Sequence, residues 1–423
     1  MSQKTNQFGG NLNMLSPYRR LYGVGMVGVF LIAFALSFVV VGCSRKGGGG
    51  LVPGGGSGGG NGISFRAVSS GSSATKTVYG GPEKTVGNVE PIYWSNGDIL
   101  TIACAQARSS EGAVLTSADY ELVPTASDAS KAMIYPVNNG NGLWWGTANP
   151  HHFYSLYPSK AMMDAAYKSL VDVATNGTVK GVFPTSQNPT GQSSKSESGI
   201  TTVTLSPDMR YGYLWSGVDA APKSSSVSMT FKPLFTAFEF VVGGDAVGGD
   251  LTLKSFELSS STCALSGNFT AQIAEGGGSV SLTSVPARTT SNNTLSLTFP
   301  IGSNAVVVSS TKQARFTVLT FAGRNLSGTV DEKISDLTLK FTFERAGSTF
   351  TRTLLLKRKG ETTPMIFDGR KKYRITNLSL PTLKEATFTV EVIDYDAVNS
   401  DLGFGNVTVG DMSETDGNNL DFS

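Results

Sequence analysis

Few residues in this chain have types and spacing suited to chemistry. Its two histidines are adjacent, His151 and His152, and its three cysteines are Cys43, Cys104 and Cys263. A nucleophilic thiol needs a neighbouring base, but the histidine pair is far in sequence from Cys104 and Cys263. Both of those lie beside apolar, strand-like residues and read as buried free thiols. Gly55-Gly56-Ser57-Gly58-Gly59 matches the G-x-S-x-G pattern, yet no strand precedes it and no helix follows, so the match reads as chance. Glu83-Lys84-Thr85 lacks the glycines of a phosphate cradle. Asp394, Asp396, Asn399 and Asp401 have spacing loosely like a calcium loop but lack its glycine and terminal glutamate. The expectation is therefore a protein that is not an enzyme, with no cofactor and no resident metal. One aromatic cluster stands out: Trp144, Trp145, His151, His152, Phe153 and Tyr154. Trp144, Trp145 and Tyr154 form a candidate ligand loop, because exposed ring faces stack on sugars; the plainer reading is core and edge packing.

Arg19 and Arg20 precede an uninterrupted apolar stretch, residues 21–42, which ends at Val40-Val41-Gly42-Cys43. The stretch reads as an export signal. It is also long enough to span a bilayer as a helix. Its ending looks like a bacterial lipobox, which makes residues 1–42 a lipoprotein signal peptide and Cys43 the lipidated residue. An uncleaved membrane helix is the other reading. Acyl chains contribute about 0.8 kcal/mol per buried CH₂, so two or three on one cysteine anchor firmly. From Gly47 to Gly62, eleven of sixteen residues are glycine, a composition with nothing to bury. Residues 43–62 thus read as a tether.

Beyond the tether the elements are strands. Glycine is 50 of 423 residues, about 12% against a usual ~7%, which suits a turn-rich β protein. Leu337, Leu339, Phe341 and Phe343 alternate with Thr338, Lys340, Thr342 and Glu344. Period two puts one face in a core and the other in water. Val227, Met229 and Phe231 repeat the pattern, as do Leu295, Leu297 and Phe299, and Phe388, Val390 and Val392. One segment reads helical: Ser159 caps a stretch whose Met162, Ala166, Leu170 and Val173 share a face, with Asn176-Gly177 as its stop. The small, Pro-containing segment from Val218 to Ser226 reads as a linker. It divides the chain into an N-terminal domain, 63–220, and a C-terminal domain with an acidic tail, 221–423, each of β-sandwich size.

Charge is 34 basic against 32 acidic residues, net +2. The middle of the chain is too dilute in positive charge for a polyanion groove, so nucleic acid is not an expected partner. Lys357-Arg358-Lys359 and Arg370-Lys371-Lys372 read as solvated hairpin ends. After Phe388–Val392 the chain turns polar and then offers Leu402, Phe404, Val407 and Val409, apolar residues with a phase change that a bulge absorbs. This is a candidate donor strand, kept soluble by flanking acids; a frayed terminus is the alternative.

The ordered run of ISFRA (Ile63 to Ala67), IYWSNGDIL (Ile92 to Leu100), FYSLYP (Phe153 to Pro158), FPTSQNP (Phe183 to Pro189), FKPLFTAFEFVV (Phe231 to Val242), FELSSSTCALSGNF (Phe256 to Phe269) and GRKKYRITNLSLP (Gly369 to Pro381), behind a lipobox, resembles the fimbrillin-like proteins of Bacteroidetes. The resemblance covers essentially the whole exported chain. It implies an all-β fold of two transthyretin-like antiparallel β-sandwich domains in tandem; the one segment read as helical, a minor helix, falls in the first. It also implies a lipoprotein of the outer membrane surface that serves as a structural or accessory fimbrial subunit, with other fimbrial subunits as partners in a homo- or hetero-polymer. In that family a surface protease cuts after an arginine and removes the first strand, and a neighbour's C-terminal strand fills the gap. Arg66, followed by Ala67, occupies that position here; the alternative is a solvated strand arginine. A host protein or glycan is a candidate ligand, and a monomeric, lipid-anchored glycan-binding protein is the competing reading.

Overall fold

A computed structural model describes residues 62–68, 78–79, 92–137, 142–224, 226–245, 249–358, 363–381, 388–393 and 419–421. The expected signal peptide, Cys43, nearly all of the expected tether, the candidate donor strand Leu402 to Val409 and the acidic cluster Asp394 to Asp401 lie outside them. The described chain is all-β. Its regular elements are strands and single 3₁₀ turns.

Four sheets carry the fold. The first is eight-stranded, in the order Val227–Thr230, Phe65–Val68, Asp128–Pro136, Ser117–Thr125, Ile99–Ala103, His151–Tyr157, Leu214–Ala220, Lys232–Pro233. Its two edge strands are separated in sequence by Phe231 alone, so the sheet curls until its edges approach, as a barrel does. A four-stranded sheet (Val280–Ser284, Gly267–Ile273, Thr178–Phe183, Asp172–Val173) contributes to the same core. Leu100, Ile102 and Phe153 of the first sheet and Val179, Phe183, Phe269 and Ile273 of the small one are all buried there.

The second core draws on another eight-stranded sheet, built around Lys312–Phe321, Phe235–Gly244 and Lys372–Leu380, and on a five-stranded sheet built around Leu251–Ser260 and Leu337–Arg345. The alternation read from the sequence holds here. Leu337, Leu339, Phe341 and Phe343 are each at most 1% exposed while Thr338, Lys340, Thr342 and Glu344 are half-buried. Phe256 is the hub, with ring centroids 4.7 Å from Phe240, 4.8 Å from Phe316 and 5.0 Å from Phe341.

The sheets run across residue 220. The hairpin Gly191–Glu197 and Ile200–Ser206 joins the second large sheet, with Thr201 to Thr204 parallel to Lys312 to Arg315. In the other direction, Gly267–Ile273 completes the small sheet by pairing with Thr178–Phe183. One strand, Phe235–Gly244, serves both cores: Phe235 and Ala237 lie in the first, Phe238, Phe240 and Val242 in the second. The segment read as a linker is a turn at Ala221 to Ser224 between two strands of the first sheet.

Two readings of the sequence are corrected. The helix after Ser159 is absent; two 3₁₀ turns, Lys160–Met162 and Lys168–Leu170, stand in its place. Ser159 does cap, accepting from Ala161 N at 3.1 Å, but the backbone is extended again at Met163. Met162, Leu170 and Val173 of the stripe do pack on the first core, but from short turns and an extended segment, while Ala166 is exposed and Val171, off the stripe, is buried as well. The Arg370-Lys371-Lys372 run is not simply solvated, because Lys372 is fully buried against Glu239, Nζ to Oε2 2.7 Å.

Candidate functional site

The strand Phe65–Val68 positions Arg66. It lies between Val227–Thr230, which it pairs in parallel, and Asp128–Pro136, which it pairs antiparallel. Val227 N donates to Ser64 O at 2.8 Å and Phe231 N to Val68 O at 3.0 Å, so the parallel neighbour is bonded at both ends of this short strand. Phe65 and Ala67 are each 1% exposed and face the core, whereas Arg66 is exposed. Phe65 meets Tyr120 and Phe153 edge-on, each at a centroid distance of 5.3 Å. The side chain of Arg66 is open to solvent while its peptide bond to Ala67 sits inside a paired ladder. A protease can reach that bond only when the strand is out of the sheet, because cleavage needs an extended segment free of its neighbours. Loss of Ile63 to Arg66 would open a row of backbone donors and acceptors beside a vacated aromatic pocket.

The candidate ligand loop is differently placed. Residues 151–157 are a strand of the first sheet, and Trp145 and Tyr154 are 6% and 5% exposed. Trp145 is edge-on to His151, which in turn stacks on Phe153 at 6.0 Å. Trp144 is half-buried and exchanges backbone hydrogen bonds with Arg108. Burial first, and then the carboxylates of Glu275 and Asp219, raises the Tyr154 hydroxyl.

Cys104 and Cys263 are free and buried, one in each core. The fold brings Cys104 close to the histidine strand: its thiol donates to Gln106 Oε1 at 3.2 Å, which also accepts from His152 N at 3.3 Å. Burial pushes that thiol up to about 11, away from the thiolate a nucleophile requires.

Sequence reasoning missed two charged clusters. Glu239 is bonded to both Lys372 and Arg374 in the second large sheet; the signal was Lys372 and Arg374 two residues apart on one strand face, and a lone glutamate inside FTAFEFVV. The other is His152, Asp219 and Glu275, whose ligand-capable atoms lie within 4.8 Å of one another. No spacing could have shown it, because the three come from distant segments. Among the described residues no helix is long and apolar enough to cross a membrane.

No protein-family model and no curated protein matches the chain. Among solved structures, a candidate cell adhesion protein of Bacteroides uniformis is 12% identical with a TM-score of 0.41, covering 79% of this chain and 99% of that one. A second, from Bacteroides ovatus, is 11% identical with a TM-score of 0.42, covering 79% and 98%. A fimbrial assembly protein of Parabacteroides distasonis is 10% identical with a TM-score of 0.28, covering 78% and 94%. The structural neighbours are thus candidate cell adhesion proteins and a fimbrial assembly protein, all at low identity.

Proposed function

We propose that this chain is a surface lipoprotein, anchored in the outer membrane through Cys43, that serves as a structural or accessory subunit of a fimbrial polymer. It is a structural protein and not an enzyme. Assembly proceeds by strand addition: cleavage after Arg66 releases Phe65 and Arg66, the first half of the strand Phe65–Val68, and an extended segment of a neighbouring subunit takes their place. The observation that carries the reading is the setting of Phe65–Val68, a strand of only four residues with an exposed arginine, an aromatic plug in the core and a paired strand on each side. Leu402, Phe404, Val407 and Val409 are the donor offered to the next subunit, and their spacing of apolar residues supports that role.

The N-terminal residue of protein taken from the native host's surface tests the proposal. Ala67 is the expected first residue, and an Arg66→Ala chain should stay full length and monomeric. Mature polymer that still contains Ile63 to Arg66 refutes processing at this bond. Deleting residues 403–423 should leave a soluble fold that no longer polymerises; polymers that persist place the donor elsewhere.

A further inference from the structure

Consecutive strand residues face opposite sides, and the adjacent histidines divide accordingly: His151 is wholly buried and His152 looks outward. Asp219 lies directly opposite His152 in the antiparallel pair of His151–Tyr157 with Leu214–Ala220. Its Oδ1 is 2.8 Å from His152 Nδ1. The third group arrives from the other sheet of the same core. The turn Glu275–Gly277, between Gly267–Ile273 and Val280–Ser284, packs directly onto Leu214–Ala220 through two glycines. A Cβ on Gly277 would stand 1.8 Å from Gly217 O, and one on Gly217 would stand 2.7 Å from Gly277 Cα. This glycine-on-glycine approach sets Glu275 Oε1 3.3 Å from His152 Nε2.

An ionised carboxylate only accepts, so in the neutral ring with its proton on Nδ1, bonded to Asp219, the Nε2 lone pair faces Glu275. Two acceptors at that separation repel unless a cation lies between them. It must be either a second ring proton or a metal ion. Two ligands each about 2.0–2.1 Å from a tetrahedral zinc stand about 3.3 Å apart, which is the separation between Nε2 and Oε1. A carboxylate on the far nitrogen is also the usual support of a metal-bound imidazole. The side chains of His152, Asp219 and Glu275 are 21%, 35% and 72% exposed, so an ion can enter from solvent and water can complete its coordination.

We propose that His152 and Glu275 bind a divalent transition-metal ion of the zinc class, with Asp219 as the positioning residue on Nδ1. An imidazole donor favours zinc, nickel or copper over calcium and magnesium. The ion would tie the first sheet to the turn of the small sheet, closing one end of the first core. This inference is independent of how the chain assembles.

The test uses the soluble chain freed of metal with a chelator and titrated with zinc chloride by calorimetry, with the thermal midpoint followed in parallel. One ion per chain is expected, in the micromolar range, with a rise in midpoint of several degrees and no response to calcium. Glu275→Gln, at an exposed turn that tolerates it, should abolish the response, as should His152→Ala. Asp219→Asn should weaken binding about tenfold or more. Absence of saturable binding, or binding undiminished in both Glu275→Gln and His152→Ala, overturns the proposal. So does a midpoint that follows pH but ignores zinc, which would mark the gap as bridged by a proton.

Discussion

Glu239 is 4% exposed in the middle of an apolar strand, with Lys372 fully buried and Arg374 6% exposed beside it. Burial by itself would raise the Glu239 carboxyl, but the facing Lys372 and Arg374 charges outweigh it and hold the group at about 2. Removing one partner of a buried ion pair leaves an uncompensated charge, so Glu239→Gln should cost about 3–5 kcal/mol in a urea unfolding experiment. The folded value lies below the unfolded one, so this contribution is complete above the ordinary carboxyl range and declines as pH falls from about 4.5 toward 2. His151 offers a milder case. Burial lowers its pKa, helped by the nearby Arg108 charge, and its Nε2 accepts from Gly146 N at 3.0 Å. Because the folded ring resists protonation, its stabilising effect is present above about 6.5 and is lost as pH falls below that value. His151→Gln keeps an acceptor for Gly146 and should flatten the fall in thermal midpoint between pH 7.5 and 5 relative to wild type.

At the scale of elements, the first strand and the glycine contact make opposite demands. Phe65 fills an aromatic pocket, so Phe65→Ala should destabilise by about 3–5 kcal/mol, read from denaturant midpoints at constant slope. Such a cost is compatible with a strand that leaves on cleavage only if another side chain refills the pocket. Gly277 has φ +71 as well as no room for a Cβ. Gly277→Ala should therefore cost at least about 1–3 kcal/mol and lift Glu275 away from His152. The outer hairpin strand Gly191–Glu197 is exposed throughout. Its Ser, Lys and Glu side chains make it a polar edge that discourages stray pairing of the second large sheet.

For the whole molecule, the interleaving of strands across residue 220 decides how it unfolds. A fragment of residues 63–220 lacks Gly267–Ile273 and Val280–Ser284, leaving Val179 and Phe183 without part of their cover. The fragment should fail to give a monomeric, β-rich product by size exclusion and circular dichroism, whereas the chain from residue 63 to its end should melt in a single transition. Two separate melting transitions, matched by the isolated halves, would show that the cores are independent in spite of the shared strands.

Period-two alternation was enough to place the strands at Val227, Leu295 and Leu337 and to identify which residues of each face inward, because burial of one sheet face is a local demand written every second residue. The all-β class was legible for the same reason. Other features were not local. The stripe after Ser159 satisfied a helical pattern, but only the surrounding sheets decided that Val171 and Val173 belong to a core. The buried partner of Lys372 is 133 residues away in sequence, so its solvated appearance could not be corrected from composition. Asp219 and Glu275 meet His152 only because a strand register and a glycine contact bring three distant segments within hydrogen-bonding reach. Sequence by itself determined which residues seek a core; tertiary structure decided which charges they bring together, since electrostatic partners are chosen by distance in space and not by spacing along the chain.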